Sequence, residues 1–181
     1  MSAPEFSRPI RIDTLGPGAR TIEMEASAEE RAALAERFGL ISVESLAARV
    51  DVARSGDVVT ASGRLAAAVV HACVATGEPV PESVDEPFAI AFHPQPSDGG
   101  SADEEIELGE AELDIIFYDS ALVDIGEAVA ETLSLSIDPY PRSPGAEEVL
   151  RKAGVVSEED EAEQRAASGP FGKLAALKRG S

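Results

Sequence analysis

Residues 45–59, SLAARVDVARSGDVV, constrain the fold more than any other stretch of this chain. Leu46, Ala48, Val50 and Val52 alternate with Ala47, Arg49, Asp51 and Ala53. Successive side chains of a strand point to opposite faces, so this period of two predicts a strand with one apolar and one solvated face. Ser55-Gly56-Asp57 has the chemistry of a hairpin turn, and residues 58–74 read as one long returning strand, bent near Gly63. After a second turn in TGEPVPE, SVDEPFAIAFHP supplies a further strand. The pattern is a meander of antiparallel hairpins.

Helical signals flank this β-rich middle. Ser27 followed by Glu30 forms a capping box, which satisfies two backbone donors at a helix start. Leu34 and Phe38 share a face of that helix, and Gly39 is its natural stop. A second helix is predicted over residues 124–133, where Ile125, Val129 and Leu133 recur at i+4. AEEVLRKAG predicts a short third helix beyond the breaker Asp138-Pro139-Tyr140-Pro141. FSRPIRID and RTIEMEA read as short strands joined through Gly16-Pro17-Gly18, and further strands are predicted at 106–108 and 113–118.

The predicted fold is therefore α+β: an antiparallel β-meander sheet with at least two packed helices and a partly flexible acidic C-terminal tail. Residues 1–145 form the expected domain, with a mobile loop at 94–105 where apolar residues and periodicity both vanish. Residues 146–181 form an acidic linker and a short amphipathic C-terminal helix. Only 4% of residues are aromatic and none is Trp, so the core must rest on Val, Ile, Leu and Ala.

Charge narrows the function classes. Thirty-four acids against 15 Lys and Arg give a formal charge of −19, a field that repels phosphate backbones. General nucleic-acid binding is not expected, whereas basic protein partners or a small basic patch fit. The single cysteine, Cys73, cannot form an internal disulfide. The stretch MSAPEFSRPIRID has no apolar signal-peptide core, and no apolar run is long enough to span a bilayer, so a soluble cytoplasmic protein is expected.

Candidate chemistry is sparse. His71 and Cys73 lie two apart, on one face of a strand, and offer half a metal site or a Cys–His nucleophile pair. The other histidine is His93 and no second cysteine exists, so a buried thiol and a satisfied imidazole are the expectation. Asp119 and Asp124 flank a strand-to-helix junction, where a capping role for Asp124 competes with acid–base work in a small hydrolase. GxGxxG, GxxxxGK[ST] and GxSxG are all absent. No metal, no cofactor and no small-molecule substrate are expected. Arg8, Arg11 and Arg20 form one loose basic group, and Arg49, Arg54 and Arg64 another.

The tail is the clearest candidate contact. Phe171, Leu174 and Leu177 lie at i, i+3, i+6 on a narrow helical face, beside Lys173, Lys178 and Arg179. Pro170 suits the first turn, and the basic end complements the helix dipole. Such a helix either docks on its own domain or anchors in a partner groove or on RNA.

Three segments, EFSRPIRIDTLG, HACVATGEPVPESVDEPFAIAF and ELDIIFYDSALVDIGEAVAETLSLSIDPYPRSPGA, occur in that order before the closing PFGKLAALK. In this the chain resembles the YceD family, the large ribosomal RNA subunit accumulation proteins, in its alphaproteobacterial form. Pro170, Phe171, Leu174 and Leu177 fall in the family's terminal motif. Many bacterial members carry C-x-x-C in the middle segment, whereas here Cys73 is followed by Thr76 and the later cysteines are missing. The resemblance implies a non-catalytic role in the accumulation or processing of large-subunit ribosomal RNA. Its implied partners are ribosomal proteins, rRNA-processing factors, or rRNA itself through a local basic patch. An acidic adaptor or chaperone for a basic client is the alternative. The residues expected at such contacts are Pro170, Phe171, Lys173, Leu174, Leu177, Lys178 and Arg179, together with Arg8 and Arg11.

Overall fold

The computed structural model describes residues 5–96 and 114–155. Most of the predicted loop at 94–105, the predicted strand at 106–108, and the acidic linker and terminal helix from residue 156 onward lie outside them. The described residues divide into two compact units, one of residues 5–72, 79–96 and 114–139 and one of residues 73–78 and 140–155.

In the first unit, β1 (Pro9–Arg11) runs into a single 3-10 turn, Ile12–Thr14, followed by β2 (Arg20–Glu25), α1 (Ala28–Phe38), β3 (Ser42–Ser55), β4 (Val58–Ala72) and β5 (Pro79–Pro94). Then come β6 (Asp114–Tyr118), β7 (Leu122–Asp124) and α2 (Ile125–Ser136). Among the described residues the main sheet has five strands in the order β2-β3-β4-β5-β6, and β1 with β7 forms a separate two-stranded ribbon. The α+β class and the mainly antiparallel sheet stand as predicted.

The alternation in β3 translates directly into burial. Leu46, Val50 and Val52 are fully buried, as are Val59, Leu65 and Val69 of β4 to within 1%. Each such side chain contributes about 1.5–3 kcal/mol of apolar transfer. Val50 pairs with Gly63, and the two strands press together so closely there that a Cβ on Gly63 would sit 2.2 Å from the Arg49 carbonyl oxygen. Gly63 thus provides clearance and keeps register; the irregularity in the ladder falls elsewhere, between Val43 and Ser45.

The capping box of α1 forms as predicted. Ser27 Oγ accepts from the Glu30 N–H, the Ser27 N–H donates to Glu30 Oε2, and Gly39 closes the helix at φ 67°. α2 is capped by Asp124, buries Ile125, Val129 and Leu133 completely, and runs three residues past the predicted end.

Four expectations need correction. β1 and β2 do not form a hairpin: the 3-10 turn after Arg11 diverts the chain, and β1 pairs antiparallel with β7. β4 ends at Ala72, because the Cys73 N–H bonds to the Glu78 carbonyl and the Gly77 N–H to that of Cys73, closing a turn. β5 starts at Pro79 and includes the PVPE that reads as turn. Among the described residues, 79–89 have only β4 as neighbour, so the missing N–H groups of Pro79, Pro81 and Pro87 fall on the side without a described partner. Finally, β6 runs parallel to β5, from Ile90↔Asp114 to Pro94↔Tyr118, so the sheet is a meander only from β2 to β5.

The described part of the second unit holds the turn 73–78 and α3 (Ala146–Lys152), the predicted third helix. The Val74 N–H donates to the Pro141 carbonyl at 3.0 Å, and the Ser143 N–H to Cys73 Sγ at 3.2 Å.

Truncating Leu65, which is fully buried in β4, should cost about 2–5 kcal/mol. Urea unfolding of Leu65→Ala measures it; a loss below 1 kcal/mol, on the order of a surface change, would contradict this core assignment.

Candidate partner-binding surface

α1 packs on β3 and α2 on β4 and β5, toward the side where the alternate positions are buried. The opposite face of the sheet carries the other half of the period. Two rows of cross-strand partners define its centre. Ala47 of β3 faces Ala66 of β4, and in the next row Arg49 faces Arg64. All four are exposed. On the β2 side Glu23 pairs in register with Arg49, and Glu25 with Ala47; on the β5 side Asp85 pairs with Ala66. A groove of about 640 Å³ lies over this centre, floored by Ala47 and Ala66.

The charges along it are coupled. Arg49 donates to Glu23 Oε1 at 2.8 Å, with both side chains about 70% exposed. Arg64 bonds to Asp85, which holds the Asp85 carboxyl below its usual range and raises the guanidinium. Thr21 Oγ1 donates to Asp51 Oδ1 on the same face. Arg49 and Arg64 therefore do gather on one sheet face. Arg54 does not join them: it clamps its own turn through the Gly56 carbonyl and reaches the Ile12 carbonyl. Glu23, Glu25 and Asp85 escape a reading of single strands, because their relation to the arginines depends on cross-strand register.

Arg8 sits in the N-terminal segment, where it grips Glu30 with both terminal nitrogens at 2.6 and 3.0 Å. It also stacks over the Phe6 ring, 4.4 Å from its centre. Glu30 receives this fork together with the Ser27 N–H, and its carboxyl falls to about 2, first through the Arg8 bond. Arg11 forms an exposed two-bond pair with Asp13. Arg20 is exposed at the start of β2. The structure does not bring Arg8, Arg11 and Arg20 into one site. Pro170, Phe171, Lys173, Leu174, Leu177, Lys178 and Arg179 lie outside the described residues.

His71 is buried at the end of β4, with Nε2 2.6 Å from Glu82 Oε2. The same Glu82 carboxylate accepts the Asp138 N–H, just past the end of α2. Cys73 has left the strand, is buried, and is held by Ser143 as well as by its own turn. The Ser143 N–H, then the Thr76 hydroxyl, pull its thiol down to about 6. Asp124 accepts from the Glu127 N–H at 3.1 Å, the Arg8 N–H at 2.7 Å and Ser7 Oγ at 2.5 Å, all consistent with the capping role. Asp119 lies exposed between β6 and β7. Among the described residues no group of three or more His, Cys, Asp and Glu side chains converges as a metal site requires, and no helix is long and apolar enough to cross a membrane.

These features define an acidic α+β protein whose α1 and α2 pack on one sheet face and whose second face carries exposed ion pairs. Residues 61–178, about two-thirds of the chain, match the family model described as large ribosomal RNA subunit accumulation protein YceD. The chain belongs to the YceD family. That description names an accumulation role in large-subunit ribosomal RNA and no catalytic activity. No curated protein and no solved structure matches the chain.

Two titrations follow. A carboxyl whose folded pKa lies below its unfolded value stabilises the fold fully above the unfolded value, and the gain disappears as pH falls through the folded one. For Glu30 that window runs from about 4.5 down to about 2. At neutral pH Glu30→Gln should be less stable than the parent by about 1.5–3 kcal/mol, the range for hydrogen bonds to a charged group. Urea unfolding at stepped pH should show this difference shrinking across the window; a gap independent of pH would refute it. For Cys73, ultraviolet thiolate absorbance should titrate near 6, and Thr76→Val should move the midpoint upward.

Proposed function

We propose that this protein is a non-catalytic, cytoplasmic ribosome-assembly factor that supports the accumulation or processing of large-subunit ribosomal RNA. The observation that carries the reading is the family match over residues 61–178. Charge refines it: at −19 the chain is a poor general ligand for RNA and a good one for basic proteins. Its direct partners are therefore ribosomal proteins or a basic processing factor, with any RNA contact local. In this reading residues 1–145 are the folded body and residues 146–181 carry contacts through Pro170, Phe171, Leu174 and Leu177, flanked by Lys173, Lys178 and Arg179.

A deletion strain tests it. Sucrose gradients should show fewer mature large subunits, with precursor rRNA accumulating, and the full-length chain should restore both. Normal subunits and normal precursor levels in the deletion strain would overturn the reading. A chain lacking residues 169–181 should melt at the parental temperature and fail to restore the profile. A melting temperature many degrees lower would refute the anchor role of the tail.

A further inference from the structure

We infer that the groove over Ala47 and Ala66 is a docking surface for a lysine- and arginine-bearing segment of a basic protein. A solvated face of an antiparallel sheet ordinarily presents long polar side chains. Here the cross-strand pair Ala47↔Ala66 presents only methyl groups, and the next row is the arginine pair Arg49↔Arg64. The result is an exposed trough with an apolar floor and charged walls. The aliphatic stems of Lys and Arg lie well on such a floor while their charged ends reach outward.

The walls select the sign of the guest. Four carboxylates on this face, Glu23, Glu25, Asp51 and Asp85, outnumber the two guanidiniums. Both ion pairs are exposed, with Arg64 and Asp85 at 58% and 65% and Arg49 and Glu23 near 70%, so neither is strongly held. An incoming cation can take over Glu23 or Asp85 at small cost, and Arg49 or Arg64 is then released toward carbonyl or carboxylate groups of the same segment. Such an exchange suits a peptide carrying both kinds of group. A phosphate backbone offers only anions, and it would have to approach through the carboxylates. Glu25 faces Ala47 in the ladder and supplies a carboxylate next to the methyl floor.

The inference deepens the assembly-factor reading and rests on it only for the client's identity. The full-length chain should be titrated with a fluorescent peptide of about twelve alternating Lys and Ala residues, enough at ~3.3 Å per residue to cross the groove. A fluorescent oligouridylate of the same length, titrated separately without the peptide, tests the alternative class. Two variants probe the groove differently: Ala47→Leu with Ala66→Leu fills the floor without changing charge, and Glu25→Gln with Asp85→Asn removes wall charges. Each should weaken peptide binding about tenfold, or ~1.4 kcal/mol, at an unchanged melting temperature, while the oligouridylate on its own shows no binding. Attraction by net charge alone would ignore the leucines, so unchanged affinity in Ala47→Leu/Ala66→Leu overturns the inference. So does direct binding of the oligouridylate as tight as that of the peptide. The same variants placed in the deletion strain separate the two claims. Normal ribosomes in the deletion strain refute the functional reading, and the groove is then judged on peptide affinity alone. Impaired ribosomes fully restored by Ala47→Leu/Ala66→Leu refute the groove.

Discussion

The register between β3 and β4 is the constraint on which the rest of this fold depends. Val50 lies opposite Gly63, with no room for a side chain on the glycine. A slip by one residue would send Leu46, Val50 and Val52 to solvent and bring Arg49 and Asp51 into the core, since a strand has a period of two. That one alignment also decides which residues meet on the open side. Ala47 meets Ala66 and Arg49 meets Arg64 only because Val50 meets Gly63. Core and candidate surface are two faces of a single choice of register.

The N-terminal segment shows how an acidic chain uses its few cations. Arg8 binds Glu30 at the start of α1, while its backbone N–H binds the Asp124 cap of α2. Gly126, in the first turn of α2, must be glycine because a Cβ there would lie 2.2 Å from the Phe6 carbonyl oxygen. Arg37, near the end of α1, bridges to Glu5 and Glu127 and is raised by both. These partly buried pairs join residues distant in sequence, so their value is in fixing how β1, α1 and α2 assemble. The pairs on the open sheet face are chemically similar but far more exposed. Screening by water makes them weak, and weak pairs are exchangeable.

Local signals were legible in proportion to how locally they are satisfied. The Ser27–Glu30 box, the Gly39 stop and the Ile125, Val129, Leu133 stripe each involve residues a few positions apart, and all formed. The alternation of β3 was equally plain, and so was its hairpin through Gly56. What could not be read was pairing between distant segments. Nothing in PIR or LVD indicates that β1 joins β7 across more than a hundred positions, and three residues are too few to show a period. The parallel direction of β6 is likewise a matter of which strand it pairs with, and neither strand alone shows it. Prolines 79 and 81 suggested a turn because their acceptable place, an unpaired strand edge, exists only once the sheet is assembled. The same limit hid the carboxylates of the candidate surface, whose meaning comes from their neighbours on other strands.

The family match begins within β4, so Arg64, Ala66 and Asp85 fall inside it while Glu23, Glu25, Ala47 and Arg49 precede it. The groove thus joins a matched wall to one built by β2 and β3. Its chemistry nevertheless needs both, because Ala66 without Ala47 is half a floor and Asp85 without Glu23 is one side of a channel. Under the proposed role an acidic protein faces a specific physical difficulty: its own field repels RNA. Docking through basic protein segments resolves this, since those segments carry the cations that RNA also seeks. Contacts of modest strength then have an advantage over tight ones. A segment held by exposed, exchangeable pairs can be surrendered when phosphates offer a denser array of charge.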